Sequence, residues 1–337
     1  MIRLDRLSKR YGALQALDGV SLAVPQGCLY GLLGPNGAGK TTCLRILCTL
    51  LAPDAGQVSI AGIDALADPR AAREQLGYVA QEVAIDKILS GRELLELQAS
   101  LYHLGSVAAR RRIDELTELL GMAEWLDRRC GTYSGGMRRR LDLACGLLHS
   151  PAVLVLDEPT VGLDIESRAA LWQVLQDLRD GGTTVLLSSH YLEEVDALAD
   201  RLAILDGGRV IAEGTPDDLK RELGGDRVTL RVKEFATPQE AQAAQGVLQQ
   251  LAGVRQVVIN RAQGHAINLV MEGEGAALLE RLRQQLDEAS VPVFSLAQSR
   301  PSLDDVYLQA TGRTLMDAEL ASVSSRDAKA EKKQAMR

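Results

Sequence analysis

The segment Gly34-Pro35-Asn36-Gly37-Ala38-Gly39-Lys40-Thr41 constrains this chain more than any other. It has the spacing Gly-x4-Gly-Lys-Thr and joins two stretches that need different backbones. Leu29–Leu33 is a short apolar run, the pattern of a strand buried on both faces. Thr42 opens an apolar-periodic run to Leu51 that reads as a helix. A glycine-rich turn from such a strand into a helix aims backbone N–H groups and a positive helix end at one point. That point suits phosphate oxygens. Gly34, Gly37 and Gly39 permit the turn, with Asn36 inside it. Lys40 adds a point charge at the β/γ-phosphates of a nucleotide, and the Thr41 hydroxyl is placed to ligate Mg²⁺.

Val153-Leu154-Val155-Leu156-Asp157-Glu158 supplies the acidic partner such a loop needs. Four apolar residues suit a buried parallel strand, and two carboxylates at its C-terminal tip are costly unless a metal or a proton transfer uses them. Asp157 is expected at the Mg²⁺ shell and Glu158 as general base toward the attacking water. Pro159 is expected to end the strand. Ser134-Gly135-Gly136, at the mouth of another helix, is a second phosphate-binding device.

In order along residues 1–225, these motifs resemble the ATP-binding subunits of ABC transporters. The resemblance implies roles for residues that are weak signals singly. Tyr11 matches the aromatic that stacks on adenine. Gln81, in Tyr78-Val79-Ala80-Gln81, matches the glutamine that contacts Mg²⁺ and links the site to the membrane partner. Tyr133-Ser134-Gly135-Gly136-Met137 matches the signature motif, which completes the site of a second copy. Asp164, in Gly162-Leu163-Asp164, matches the loop at the dimer interface. His190, after Thr184-Val185-Leu186-Leu187-Ser188-Ser189, matches the switch histidine at the γ-phosphate. One departure is Met137, where the family usually has Gln; the hydroxyl and N–H groups that would hold phosphate survive it. Arg138-Arg139-Arg140 reads first as a solvated face, with contacts to a partner subunit or nucleotide as the alternative.

The implied fold is α/β: a P-loop NTPase of the ABC ATPase type with antiparallel β and helical subdomains. Residues 1–27 and 56–61 read as the antiparallel sheet, about 85–150 as the helical subdomain, and 153–213 as alternating strands and helices. Residues 226–311 change pattern. Strands at 228–232, 254–259, 265–270 and 291–296 and helices at 238–251 and about 278–286 give the order βαββαβ, a C-terminal ferredoxin-like α+β domain for regulation or dimer contact. His265 reads as a strand residue without a ligand role, and 303–311 as a further helix. Residues 312–337 read as a disordered tail, polar and rich in Lys and Ala. The signature Tyr-Ser-Gly-Gly-Met-Arg-Arg-Arg-Leu, with a tail ending Ser302-Leu303-Asp304-Asp305-Val306-Tyr307-Leu308-Gln309-Ala310-Thr311-Gly312-Arg313, resembles the daunorubicin-resistance branch of exporter ATPases.

Composition excludes several classes. Formal net charge is −7 and aromatic residues are 3% of the chain, neither of which suits a large nucleic-acid footprint. No apolar run approaches the roughly 20 residues of a spanning helix. The N-terminus enters a strand at once, so no signal peptide is expected. Five cysteines without a C-x-x-C pair read as reduced thiols of a cytosolic protein. The resemblance to ABC transporter ATP-binding subunits implies ATP, Mg²⁺, a second copy of the chain in a head-to-tail dimer and a separate membrane permease as partners, with the subunit peripheral on the cytoplasmic face. The expected cargo is drug-, lipid- or polysaccharide-like. The alternative is a soluble ABC-type ATPase with a ribosomal, DNA or regulatory role.

Overall fold

The computed structural model describes residues 1–223, 226–234, 236–260, 264–271, 276–299 and 301–321. The chain forms two compact units, Met1–Glu213 and Gly214–Arg337.

The first unit is built on two sheets. One is four-stranded, in the order Leu14–Val24, Ile2–Tyr11, Ala55–Ile60, Ile63–Asp64. Its antiparallel register sets Ile2 opposite both Val24 and Ile60, and Leu4 opposite both Leu22 and Val58. All six side chains are buried, so the apolar alternation of each strand falls on one inner face. The other sheet is six-stranded, in the order Arg209–Gly214, Arg201–Asp206, Leu29–Leu33, Thr184–Ser189, Val153–Asp157, Leu76–Val79. Its three central strands are buried at every residue, as continuous apolar runs flanked by parallel neighbours must be.

Register within this sheet decides where the chemistry sits. Leu33 pairs with Ser189, Asp157 with Ser188, and Val79 with Leu156. The C-terminal ends of four parallel strands are therefore level. The residues just past them, Gly34, Ala80-Gln81, Glu158 and His190, emerge side by side. Leu76–Val79 has no counterpart in the sequence reading, because four residues beside a loop carry too little periodicity.

Helices Gly91–Leu101, Ser106–Leu119 and Gly135–Leu147 form the helical part. Helices Lys40–Leu47, Ile165–Asp180 and Leu192–Leu198 flank the parallel sheet. Gly135–Leu147 reaches the sheet at one point without side chains. A β-carbon on Gly77 would lie 2.2 Å from the Gly146 carbonyl oxygen.

The second unit opens with the helix Pro216–Glu222, capped by Thr215, which lies N-terminal to the boundary expected at 225/226. A cap followed by Pro at the first turn was the available signal. Strands Asp226–Arg231, Val254–Asn260, Ala266–Met271 and Ser295–Ser299 form one sheet, all pairs antiparallel, with the first and third strands central. Helices Pro238–Leu248 and Ala276–Glu288 follow the first and third strands. The core includes Val228, Leu230, Leu248, Ile267, Leu269, Leu282 and Leu286.

Three readings need correction here. The closing strand lies at Ser295–Ser299 rather than 291–296, since Pro292 has no N–H to give a ladder. His265 stands in the turn before its strand, at φ 61°. Residues 312–321 are ordered: Gly312 caps Leu303–Thr311, the Thr314 hydroxyl accepts from Asp317 N at 3.1 Å, and Leu315 and Ala318 are buried. The remainder of the expected tail, 322–337, lies outside the described residues.

The Gly77–Gly146 approach gives a stability prediction. Gly77→Ala inserts a methyl against backbone that cannot move aside, and it should cost about 1–3 kcal/mol. A urea titration should show a lower midpoint at unchanged slope.

Candidate functional site

The loop Gly34–Gly39 leads into the helix Lys40–Leu47 through a conformation closed to side chains. Gly39 has φ 111°, and a β-carbon there would lie 2.5 Å from the Ala16 carbonyl oxygen. The same close approach brings the hairpin of Ile2–Tyr11 and Leu14–Val24 to the loop. Tyr11, at the hairpin tip, is half exposed. Lys40 is buried. Its ammonium donates to the carbonyls of Gly34 (2.7 Å) and Pro35 (3.2 Å) and pairs with Glu158 at 3.3 Å. Thr41 and Thr42 follow in the first turn of this helix, and Asn36 and Gly37 lie on the outer side of the loop.

Glu158 collects the strand ends. Its carboxylate accepts from Gln81 Nε2 at 2.8 Å and lies 3.2 Å from His190 Nδ1, in addition to Lys40. Burial pushes the Glu158 carboxyl up, but His190 and the Lys40 charge outweigh it and hold it below the usual carboxylate range. The group is therefore ionised at neutral pH. Its backbone is strained. Glu158 has φ 48°, a region that costs a residue with a β-carbon about 1–3 kcal/mol unless its surroundings impose it. The strand thus ends at Asp157, and Glu158 turns out of it.

Asp157 is buried at the strand tip. Its Oδ1 accepts from Ser188 Oγ at 2.6 Å and from Thr41 Oγ1 at 3.3 Å. Its Oδ2 is buried and, among the described residues, without a hydrogen-bond partner. An orphaned carboxylate oxygen beside a threonine hydroxyl is a donor set that a hard cation completes. Among the described residues no group of three or more His, Cys, Asp or Glu could hold a metal ion by itself, so a cation here would need further ligands from a bound molecule.

His190 is positioned by a buried carboxylate that the sequence reading did not single out. Glu194 accepts from Ser189 Oγ (2.6 Å) and Trp172 Nε1 (3.2 Å), and Ser189 Oγ accepts from Tyr191 N (3.0 Å). The backbone on both sides of His190 is thereby pinned.

Ser134, Gly135, Gly136 and Asp164 form a second cluster. Ser134 caps the helix Gly135–Leu147 by accepting from Met137 N at 3.2 Å. Gly136 faces Ser167, whose hydroxyl would be 2.5 Å from a β-carbon there. Asp164 caps Ile165–Asp180, accepting from Ser167 N at 2.7 Å and Ser167 Oγ at 2.9 Å. Two helix N-termini are thus packed closely at Gly136 and Ser167. The structure joins Gln81, Glu158, Lys40, His190, Asp157 and Thr41 by direct contacts, whereas the Ser134–Gly136 and Asp164 contacts are among themselves.

Arg139 bridges the two clusters, and it departs from the solvated face expected for Arg138–Arg140. It is buried. It donates to the carbonyls of Ala80 (2.7 Å), Gln81 (3.1 Å) and Glu158 (3.4 Å), with Asp142 at 3.6 Å. Burial lowers the Arg139 pKa and raises that of Asp142 to about 6. A single arginine in a basic run carries no sequence signal for this. Only the fold turns one of the three inward.

Residues 17–161 match the ABC transporter family, and residues 214–311 match the family ATP-binding protein DrrA1-3-like, C-terminal domain. The daunorubicin resistance ATP-binding protein DrrA3 of Streptomyces coeruleorubidus is 46% identical over 311 residues, which cover 92% of this chain and 96% of that protein. The daunorubicin/doxorubicin resistance ATP-binding protein DrrA of Streptomyces peucetius is 42% identical over 321 residues, 94% of each chain. A solved dimeric ATP-binding cassette in a post-hydrolysis state, bound to ADP and Pi, is 26% identical, with a TM-score of 0.58 over 64% of this chain and 98% of that one.

The depressed carboxyl of Glu158 makes a pH prediction. A group whose folded pKa lies below its unfolded value stabilises fully above the unfolded value, about 4.3 for Glu, and that part is lost as pH falls through the folded value. Urea titrations of the wild type and Glu158→Gln should show a constant stability difference between pH 8 and 6. Below about pH 4.3 the difference should shift in favour of Gln. A difference independent of pH would mean that Lys40 and His190 do not hold an ionised carboxylate.

Proposed function

The chain belongs to the ABC transporter family, in its daunorubicin-resistance branch, and on that premise we propose that it is the ATP-hydrolysing subunit of an exporter whose pathway lies in a separate permease. The carrying observation is the convergence on Glu158 of Lys40, Gln81 and His190, beside Asp157 and Thr41. No helix among the described residues is long and apolar enough to cross a membrane, which fits a translocation path supplied by another polypeptide. The subunit then works at the cytoplasmic face of the membrane, held there by its permease. The names of its relatives support a drug-like cargo, with lipid- or polysaccharide-like molecules in the same class of export.

Each residue has a role in this reading. Gly34, Asn36, Gly37, Gly39, Lys40, Thr41 and Thr42 hold the phosphates, with Tyr11 against the adenine. Thr41, Asp157 and Gln81 are the residues for Mg²⁺, and the orphaned Asp157 Oδ2 supports that assignment. When bound, Mg²⁺ neutralises charge on the β- and γ-phosphate oxygens. A γ-phosphate competes with Glu158 for the Lys40 ammonium. A carboxylate released from that pair is the stronger base, able to take the proton of the attacking water as its oxygen bonds the γ-phosphorus and the bond from that phosphorus to the bridging oxygen breaks, releasing ADP. His190 positions the γ-phosphate. Ser134, Gly135 and Gly136 of one copy, with Asp164 beside them, close over the nucleotide of the other. The close packing of the two capped helix ends at Gly136 and Ser167 supports this, because it sets N–H groups and a hydroxyl side by side. Loss of the γ-phosphate contact after hydrolysis then reopens the dimer.

Two experiments test this reading. Glu158→Gln should bind ATP like the wild type, hydrolyse it about 10²–10⁴-fold more slowly, and run as a dimer on gel filtration in ATP. Turnover at the wild-type rate would remove Glu158 as the base. Lys40→Ala and Ser134→Arg should each be inactive alone. Mixed together they should regain ATPase activity, since one of the two sites in a mixed head-to-tail dimer is intact. A mixture as inactive as its components would refute head-to-tail sharing.

A further inference from the structure

Arg139 lies one helical turn beyond the signature residues, and its guanidinium is buried. Its three carbonyl partners belong to the two loops that carry the reacting side chains: Ala80 and Gln81 in one, Glu158 in the other. Those loops also meet through the Gln81–Glu158 hydrogen bond at 2.8 Å. Arg139 therefore holds the backbone beneath both members of that pair.

The Glu158 peptide needs such holding. Its φ of 48° is one that a residue with a β-carbon leaves when nothing imposes it. On its N–H side the clamp is Ser188, whose carbonyl (3.2 Å) and hydroxyl (3.0 Å) both accept from Glu158 N. On its C=O side the clamp is Arg139 at 3.4 Å. A guanidinium suits this position better than an ammonium, because its planar fork reaches several carbonyls from one place.

We propose that Arg139 is a positioning residue for hydrolysis, which keeps Glu158 in its strained conformation and ties that conformation to the helix carrying Ser134–Gly136. The same helix end that closes over a second copy's nucleotide thereby senses its own chain's catalytic carboxylate. Motion of the signature helix shifts Glu158 through one buried side chain. The proposal rests on Glu158 being the base.

The test separates positioning from folding. Removing Arg139 alone leaves Asp142 buried without its cation, so the double variant Arg139→Gln/Asp142→Asn is used with Arg139→Lys as the second variant. On full-length protein, a fluorescent ATP analogue gives Kd, and steady-state hydrolysis gives kcat and KM. The double variant should keep Kd within about twofold while kcat falls by about 10²-fold, the scale of a 1 Å misplacement. Arg139→Lys, able to reach part of the carbonyl set, should recover part of kcat. Wild-type kcat in the double variant overturns the proposal. So does a loss of Kd in proportion to kcat, or an Arg139→Lys no better than the double variant. Glu158→Gln run in parallel separates the two ideas. If it too turns over normally, the base assignment has failed; if it is inactive while the Arg139 variants are not, the positioning role alone has failed.

Discussion

The buried pair of Lys40 and Glu158 is the contact around which the first unit is arranged. An ammonium and a carboxylate 3.3 Å apart in a protein interior are stable only if the remaining lone pairs and protons are also satisfied. Each such requirement recruits another piece of chain. Lys40 draws in the carbonyls of Gly34 and Pro35, and Glu158 draws in Gln81 and His190. Four segments far apart in sequence are thereby committed to one point. The parallel sheet makes this possible, because only a common register brings the ends of four strands to the same level.

A second layer of contacts holds those segments in orientation. Glu194 pins the backbone around His190 through Ser189 and Trp172, Ser188 ties Asp157 to the Glu158 N–H, and Arg139 gathers three carbonyls. They restrict conformations that the loops would otherwise leave, and the strained Glu158 peptide is where that restriction matters most. The same layer ties the loops around Glu158 to the helix Gly135–Leu147 through main-chain carbonyls as much as through side chains.

Motifs with a local mechanism were readable in the sequence. Strand, glycine turn, lysine and helix at Leu29–Leu47 are consecutive, so their meaning does not depend on distant partners. The alternating and helical periods of the second unit were readable for the same reason, although Pro292 moved its last strand. Residues whose role is made by packing were not readable. Arg139 sits in a run of three arginines with the appearance of a solvated face, and Glu194 is one acid among several in its helix. The cap at Thr215 and the order of residues 312–321 also escaped, since short helices announce themselves weakly.

The sequence by itself determined that this chain folds a P-loop between a buried strand and a helix, that two carboxylates end a neighbouring strand, and that a βαββαβ pattern follows. Those features are local, set by spacing and periodicity along the backbone. The tertiary structure alone decided which carboxylate Lys40 meets, that Glu158 leaves its strand at a positive φ, and which arginine of three turns inward. Those outcomes depend on register between strands and on where a helix crosses them. Such relations are fixed by packing, through close approaches such as Gly77 against Gly146, and have no signature in any single stretch of chain.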